Sequence, residues 1–481
     1  MIKIILGVLV TVFVIVSTVV VLYWRDINYD PDTKDMFIFF GLVPVAISLL
    51  LLMPFFIKQW YQENKIKKQN EEALKNKPQE ESELKPVKED IKWVNLHVFS
   101  AATYSALGEN DEIWMSLTEF KSPELDAQLQ NGYGLPILSY RISDLDDMVA
   151  SAENDDSDES MVNARQLRIW ALIQHQLEQH AQTLWAISEH LKSSALFFDT
   201  QLAHEYRMHP AWIDPNAEFN EEAYERPKIS EVYKLNRLNL HIILSEDLLH
   251  TADESVTQEK LSQFLNELGI LDKMFHVEYH YWGKETAYTQ WFNLLDKIQN
   301  VEHEINLMVA VDSEIDQDTV DEKTWISEHY IPSEFVGSCC IAHVNVKINE
   351  ISPQKIIKIA LNDHQLFNTL TQLNYQALPQ FQQEAPFVVQ LDDPGDIKVV
   401  KRLEKNFAET QIEQHHYLFM KQSVGQTEHL AKIYGFMIAL QAPEDVCAFV
   451  YSCEQPRTQS IIESFVEQSV EEQLNKEEAT V

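Results

Sequence analysis

The sequence predicts an α/β fold in which a mixed β-sheet is covered by helices on both faces. Short runs rich in β-branched and aromatic residues alternate with longer segments whose apolar residues recur at helical spacing. The runs are almost continuously apolar, which is typical of strands that are buried on both faces. The chain has 481 residues, 45% hydrophobic and 10% aromatic, so it is large enough to bury an extensive core.

Seven apolar segments are predicted to be buried strands, because β-branched and aromatic side chains dominate them. They span residues 93–101, 240–245, 273–281, 305–311, 339–348, 387–391 and 446–452. Four segments with helical spacing of apolar residues are predicted to be helices, at 166–192, 290–301, 353–373 and 428–440. The segment HHYLF, which begins at His415 and His416, is interpreted as the edge of a strand.

Residues 1–57 are predicted to form a transmembrane hairpin. Two apolar runs, 4–24 and 37–57, are each long enough to cross a hydrocarbon core of about 30 Å. A signal peptide is the alternative for the first run, but no small-residue cleavage site follows it. The loop between the runs has only Arg25 and Lys34 as basic residues, whereas four lysines closely follow the second run. This asymmetry places both ends of the hairpin in the cytoplasm.

Three further regions follow the hairpin. Residues 58–92 are predicted to be a charged tether, 93–455 an α/β domain and 456–481 an acidic C-terminal tail. Residues 1–92 hold 12 basic and 12 acidic side chains, so the formal net charge of −37 lies entirely on residues 93–481. This acidity makes nucleic acid an unfavourable partner, and it fits either simple solubility or a basic protein partner.

Four stretches, taken in chain order, are similar to parts of a known family. VNLHVFSAATYSALGENDEIWMSLTEFKS resembles an opening strand, a glycine-containing loop and a helix that carries a Trp, here Trp114. INLMVAVDSEID and HYIPSEFVGSCCIAHV resemble two middle strands, and KQSVGQTEHLAKIYGFMIAL resembles a Lys-Ser-x-x-Gly-His-Thr stretch with the helix near a pseudo-twofold axis. The family is the β-ketoacyl synthases of the thiolase-like fold. The resemblance spans about residues 93–453 and implies a layered α/β/α/β/α domain after the two transmembrane helices.

The resemblance also implies a Cys nucleophile and two His residues, and the sequence departs from the family at all three positions. The nucleophile position falls near Tyr281, and no Cys precedes Cys339. The two His positions are taken by Asp392 and Gln426, and His429 is interpreted as a surface or capping residue. We therefore predict no catalytic residue and expect a pseudoenzyme.

No metal site and no cofactor are predicted. His175, His180 and His190 share one predicted helix at steps of 5 and 10 residues, which does not bring ligands together on one face. Cys339 and Cys340 lie in an apolar segment and are interpreted as buried small hydrophobic residues. No nucleotide-binding or hydrolase motif occurs in the chain.

A surface for a protein partner is predicted in the insertion at residues 210–228. Trp212, Phe219 and Tyr224 lie there among acidic residues and prolines and are candidates for an exposed contact. A membrane hairpin followed by a degenerate α/β domain also resembles, in architecture, the accessory adaptors of bacterial type VI secretion that bring lipase effectors to the spike. That likeness implies a two-pass protein of the bacterial inner membrane, with its N-terminus and large domain in the cytoplasm, which binds an effector or a secretion-system component.

Two alternatives remain open at this point, a membrane-associated acyl-handling enzyme and an acyl-chain sensor that uses the ancestral tunnel. They differ from the adaptor in whether the pocket near Tyr281 and Gln426 is open and apolar or filled by side chains. The ketosynthase resemblance further implies a homodimer in which one sheet continues across two subunits at the strand HVEYHYW, residues 276–282.

Overall fold

The structure, a computed structural model, describes residues 91–119, 121–149, 164–205, 232–326, 330–420 and 429–466, with scattered positions between 13 and 43. The chain divides into two compact units, Met1–Lys88 and Glu89–Val481. The predicted hairpin (1–57) and tether (58–92) lie almost wholly outside the described residues. Within the described part of the chain, every helix is too short or too polar to cross a bilayer.

Thirteen strands are present in the described part of the chain. They are β1 Lys92–Ser105, β2 Gly108–Glu109, β3 Glu124–Gln130, β4 Pro136–Ser139, β5 Arg237–Ser245, β6 Phe275–Trp282, β7 Glu304–Ser313, β8 Glu334–His343, β9 Lys355–Leu361, β10 Val388–Gln390, β11 Tyr417–Phe419, β12 Ala448–Tyr451 and β13 Gln459–Ser464.

Nine α-helices and five short 3₁₀ helices with both ends in the described ranges accompany these strands, and residues 145–149 are also helical. The α-helices are α1 Asp111–Thr118, α2 Ala164–Gln179, α3 Ala181–Glu205, α4 Glu254–Glu267, α5 Ala287–Gln299, α6 Gln317–Ile326, α7 Leu366–Gln372, α8 Ile397–Phe407 and α9 Ala431–Ala439. The 3₁₀ helices are Glu246–Leu248, Asp272–Met274, Tyr375–Ala377, Pro379–Gln382 and Gln414–His416.

One large mixed sheet organises the domain, and its two halves repeat the same strand order. The sheet runs β11-β10-β12-β13-β9-β1-β8-β7-β5-β6, with β2 paired to β1, while β3 and β4 form a separate hairpin. In the N-terminal half, β5 is parallel to β6 and β7, and β8 is antiparallel to β7 and β1. In the C-terminal half, β10 is parallel to β11 and β12, and β13 is antiparallel to β12 and β9. An antiparallel pair, β1 and β9, joins the halves.

Three apolar clusters place the helices around this sheet. A central cluster combines α5 and α9 with side chains from strands of both halves, including Met308 of β7 and Val389 of β10. A second cluster packs α2, α3 and α4 on the opposite face of the N-terminal half. A third cluster packs α7 and α8 on the opposite face of the C-terminal half. Helices α5 and α9 therefore lie between the two halves, and the outer helices cover the outside of each.

The predicted mixed α/β fold with a large sheet is confirmed, and all seven predicted strands occur with shifted ends. The helix predicted over residues 353–373 is wrong in its first half, because Lys355–Leu361 forms β9 and only Leu366–Gln372 is helical. The KIIKIAL segment is rich in β-branched Ile and pairs with β1 and β13 on its two edges. The sheet also extends beyond residue 455, where the acidic tail was predicted to begin, because β13 spans Gln459–Ser464.

Candidate functional site

The position predicted for the nucleophile lies on the outer face of the N-terminal half. Tyr281 is on β6, its side chain packs against the cluster that contains α4, and its hydroxyl donates to Glu254 Oε1 at 2.8 Å. Burial, and then the hydrogen bond to the Glu254 carboxylate, raise the pKa of this phenol. The next residue, Trp282, belongs to the central cluster with α5 and α9. Tyr281 therefore faces away from the interior between the two halves.

Asp392 follows β10 and is buried at the end of the C-terminal half. Its carboxylate accepts hydrogen bonds from Ser452 Oγ and Gln390 Nε2, each at 3.1 Å, and from the backbone N–H of Cys453. Lys432 Nζ of α9 lies 3.4 Å from Asp392 Oδ1. Through these contacts Asp392 connects β10, the end of β12 and α9. Its role in the described part of the chain is therefore structural.

The structure does not bring the three predicted positions into one described site. Tyr281 packs against the cluster that contains α4, whereas Asp392 contacts the end of β12 and α9. Gln426 lies outside the described residues. His429 is the first described residue after Gln426, and it contacts the loop that follows β6. The backbone N–H of Lys284 in that loop donates to His429 Nδ1 at 3.2 Å. His429 therefore has a hydrogen-bonding role at the entrance to α5.

None of the four cysteines has the surroundings of a reactive thiolate. Burial raises the pKa of Cys339 and Cys340, both in β8, and the pKa of Cys447. Burial and the neighbouring Asp392 carboxylate raise the pKa of Cys453 to about 11. A nucleophilic Cys needs a lowered pKa, usually from a nearby cation or a helix N-terminus. The interpretation of Cys339 and Cys340 as buried hydrophobic residues is confirmed.

The interior between α5 and α9 is filled by large side chains. Tyr434 of α9 stacks on Phe335 of β8 with ring centroids 4.3 Å apart, and Trp291 of α5 meets Phe436 of α9 edge to face at 5.5 Å. All four of these side chains are fully buried. At Gly337 of β8, an added Cβ would lie only 2.7 Å from Met437 Sδ. The described part of this interior therefore leaves little room for an acyl chain.

The three histidines of the predicted helix lie at three separate places. His180 sits at the junction of α2 and α3 between Ser100 Oγ and Ser338 Oγ, each 2.7 Å away, and burial lowers its pKa to about 4. His175 stacks on Tyr104, and His190 bonds to the backbone of other segments. Each ring therefore has structural partners of its own.

Sequence reasoning missed a buried ionic network where α2 crosses the ends of β7 and β8. Arg168 bonds to both carboxylate oxygens of Glu334, at 2.8 and 2.6 Å, and both side chains are buried. One turn earlier, Arg165 donates to Asp312 Oδ1 and Asp247 Oδ2, each at 2.9 Å. Two Arg residues at an i, i+3 spacing on an apolar helix, with carboxylates at strand ends, were the available signal.

An acidic groove lies beside this network and was also not predicted. It is a cavity of about 520 Å³ between the end of β1, α1 and the β3-β4 hairpin. Five carboxylates and only two basic side chains line it, which are Glu112, Glu124, Asp126, Asp144, Asp146, Lys121 and Arg141. Arg141 is paired with Asp126 at 2.6 Å and with Asp146 at 3.1 Å. Glu124 and Asp144 are exposed, so the opening of the groove carries excess negative charge.

Comparison with known proteins gives likenesses of structure only. No protein-family model and no curated protein sequence matches the chain. The chain is similar to the ketosynthase from module 6 of the bacillaene synthase of Bacillus subtilis 168, with 9% identity, a TM-score of 0.44, and coverage of 77% of this chain and 72% of that one. It is also similar to the module 1 ketosynthase of the Bacillus amyloliquefaciens FZB42 synthase, with 8% identity, a TM-score of 0.37, and coverage of 78% and 76%.

A type III polyketide synthase domain from Dictyostelium is a further match, with 9% identity, a TM-score of 0.29, and coverage of 77% of this chain and all of that one. All these identities and TM-scores are low. The assignment of the fold therefore has to rest on the strand order of this chain itself.

Proposed function

We propose that the chain is a non-enzymatic adaptor with a ketosynthase-like, thiolase-like domain, anchored to a membrane through residues 4–57. The observation that carries the proposal is the combination of an acidic groove with a filled interior between α5 and α9. The groove offers a binding surface for a partner, and the described part of the interior, filled by large side chains, leaves little room for an acyl substrate.

The repeated strand order supports the thiolase-like assignment. We number the five main strands of each half from first to fifth in chain order. Outward from the pair β1-β9, the strands of each half then lie in the order first, fifth, fourth, second and third. In each half the fifth strand is antiparallel to its neighbours. A pseudo-twofold arrangement with a helix of each half near the axis is what the resemblance implies, and α5 and α9 occupy equivalent places after the third strand of each half.

The chemistry of the described residues supports a pseudoenzyme. Acyl transfer through a thioester needs a thiolate and a group that polarises the carbonyl, and all four thiols of this chain are buried and have a raised pKa. The acidic carboxylate of Asp392 is occupied by three donors and by Lys432. A group so occupied serves packing and not proton transfer.

The acidic groove supports a partner that presents a basic segment. Charge complementarity would increase the rate of association, because opposite charges attract each other over about one Debye length. It would also disfavour acidic partners, because like charges repel. Trp212, Phe219 and Tyr224 lie outside the described residues, and their contact with the partner stays a prediction. A type VI secretion effector or component is the partner that we propose to look for first, in a bacterial inner membrane.

The test is affinity purification of the full-length chain from native membranes, with mass spectrometry of the proteins that come with it. The variant pair Glu124→Lys and Asp144→Lys reverses two exposed charges at the groove. We expect it to lose the specifically captured partner while the abundance of the chain in the membrane is unchanged. The matched control reverses Glu384 and Glu409, two exposed carboxylates that do not line the groove, and should retain the partner.

Three outcomes would contradict the proposal. Retention of the partner by the groove variant would remove the groove from its binding surface. Incubation of the purified chain with acyl thioesters, followed by intact-mass measurement, should show no added mass. A covalent acyl group on any residue of the domain would instead favour the acyl-handling enzyme, and reversible binding of a fatty acyl chain would favour the sensor.

A further inference from the structure

Two histidines and a glutamate on β5 and β6 direct three ligand atoms at one point. His241 Nδ1 lies 3.0 Å from His280 Nε2 and 3.4 Å from Glu278 Oε2, and His280 Nε2 lies 3.9 Å from the same carboxylate oxygen. Each residue contributes one atom of a kind that coordinates metals. No metal site is predicted from the sequence, although the i, i+2 spacing of Glu278 and His280 on a predicted strand puts both side chains on one face.

The size of this triangle fits a tetrahedral transition-metal ion. The three distances define a triangle whose corners are all about 2.0 Å from its centre. An ion at the usual Zn²⁺ bond lengths of about 2.0–2.2 Å to His N and carboxylate O would therefore lie in the plane of the three atoms or less than about 1 Å above it. Neighbouring ligands at such bond lengths are about 3.3 Å apart in a tetrahedral site and about 2.9 Å apart in an octahedral one. The mean of the observed distances is therefore closer to the tetrahedral value.

We propose that His241, Glu278 and His280 form a binding site for a divalent transition-metal ion of the Zn²⁺ class, with a fourth position open to solvent. The nitrogen ligands disfavour Mg²⁺ and Ca²⁺, which prefer all-oxygen surroundings. A set of two His and one carboxylate with an open position is also found in catalytic zinc sites.

The strand register explains why the three side chains meet. His241 and Glu278 are directly paired across the parallel β5-β6 ladder, and His280 is two residues further along β6 on the same face. β6 is the last strand at its end of the sheet among the described residues. The His241 side chain is only 6% exposed and the Glu278 side chain is 49% exposed, so an ion would sit at the margin of the sheet and remain accessible.

The side-chain amide of Asn306 fixes the tautomer of His241 that can bind a metal ion, with the proton on Nε2. His241 Nε2 lies 3.2 Å from Asn306 Oδ1, which also accepts from Asn239 Nδ2 at 3.1 Å. Because a carbonyl oxygen only accepts, the proton of His241 is on Nε2 and the lone pair of Nδ1 faces the triangle. Metal-binding histidines are usually oriented by such a hydrogen bond on the second ring nitrogen.

The competing arrangement is a hydrogen-bonded pair of imidazoles without an ion. At 3.0 Å, His280 Nε2–H could donate to His241 Nδ1. Two further basic groups face the cluster electrostatically, His276 on β6 and Lys297 on α5. Both oppose a second positive charge on the imidazoles, and His276 provides a control on the same strand face.

The experiment uses the full-length chain in detergent, carrying an affinity tag without histidine and stripped of metal by a chelator. Zn²⁺ is titrated in competition with a chromophoric indicator, and Co²⁺ is added as a spectroscopic probe. We expect one ion per chain and the intense visible absorption of tetrahedral Co²⁺. Since loss of groups that only orient ligands costs about 10- to 100-fold in affinity, His280→Gln and Glu278→Gln should each weaken Zn²⁺ binding by about 100-fold. His276→Gln should bind Zn²⁺ at least as tightly as the unaltered chain, because His276 opposes positive charge at the cluster.

Glu278→Gln alters a half-exposed side chain, so a folding defect will not imitate the loss of a ligand, and circular dichroism checks this. Absence of a stoichiometric ion in the unaltered chain would overturn the proposal, as would a Zn²⁺ affinity of the Glu278 and His280 variants equal to that of the unaltered chain. Either result would assign the two imidazoles to a plain hydrogen bond. A weak octahedral Co²⁺ spectrum would also contradict the tetrahedral site.

Discussion

The two halves of the sheet share one strand order and differ in how much backbone they use to build it. The five main strands of the N-terminal half have 8 to 14 residues. Those of the C-terminal half have 3 to 7 residues. The same topology thus tolerates a large loss of ladder hydrogen bonds, provided that both halves pack on the shared helices α5 and α9.

The halves also differ in how they treat buried charge. The N-terminal half buries two Arg residues of α2 against carboxylates at the ends of β7 and β8, and it carries the histidine cluster at its free margin. The C-terminal half has Asp392, held by backbone, hydroxyl and amide donors together with Lys432. We infer that the N-terminal half depends on specific polar contacts and the C-terminal half mainly on apolar packing.

The largest effect is expected from breaking the buried pair in the N-terminal half. Arg168→Ala leaves the Glu334 carboxylate buried and without its bidentate partner, which should lower the free energy of unfolding by about 3–5 kcal/mol. Arg237→Ala, which removes a half-exposed pair with Glu304 in the same half, should cost less than about 1 kcal/mol. Chemical denaturation of the two variants measures the difference.

A double variant separates lost pairing from lost packing. Replacing Arg168 by Met together with Glu334 by Leu removes both charges and keeps apolar volume, so most of the stability should return. If the double variant is as unstable as Arg168→Ala, the network acts through its hydrogen bonds to Ile142 and Ser313 and not through an uncompensated charge.

A smaller effect is expected where α9 contacts each half through a glycine. At Gly337 in β8 an added Cβ would lie 2.7 Å from Met437 Sδ, and at Gly435 in α9 it would lie 2.5 Å from Leu391 Cδ2. Overpacking of this kind costs about 1–3 kcal/mol. Gly435→Ala regains about 1 kcal/mol of helix propensity, so Gly337→Ala should be the more destabilising variant in thermal unfolding. The reverse order would show that the C-terminal half is the less adaptable partner of α9.

The sequence predicts the sheet better than the sites, for physical reasons. Apolar strands such as 305–311 and helices such as 290–301 are recognisable because their periodicity reflects local burial. The error at residues 353–373 arose because apolar residues of a short strand followed by a short helix also satisfy helical spacing over a long window. The repeated strand order is not recoverable from one sequence, because the pairing of β9 with β1 joins segments more than 250 residues apart.

The sites depend on such distant pairings even more strongly. Arg168 meets Glu334 across 166 residues, and His241 meets His280 across 39 residues, so neither has a local motif. The resemblance to the ketosynthases implies that Tyr281 lies near the position of the nucleophile. In the structure its side chain points instead to the outer layer that contains α4. Strand alternation decides that direction, because one residue along β6 reverses the face of the side chain.

A further expected effect concerns the pH dependence of stability and one carboxyl group at the end of β7. Glu314 is buried, the hydroxyl of Tyr330 donates to its Oε2, and burial followed by the charge of Asp312 raises its pKa to about 8 from 4.5. Between those values the folded chain keeps a proton that the unfolded chain releases. The contribution of this group to stability is therefore complete below about pH 4.5 and is lost as the pH rises towards about 8.

Glu314→Gln keeps a neutral side chain of the same size at every pH, so it should remove this part of the pH dependence. We expect the melting temperature of the variant, relative to the unaltered chain, to increase from pH 5 to about pH 8 and then to level off. Glu384→Gln, at an exposed position of the C-terminal half, should show no such trend. If the difference between Glu314→Gln and the unaltered chain is constant over this range, Glu314 is ionised in the folded state. The buried charges of the N-terminal half would then include one more anion for Arg165 to balance, since Arg165 already contributes to the electrostatic surroundings of this carboxyl group.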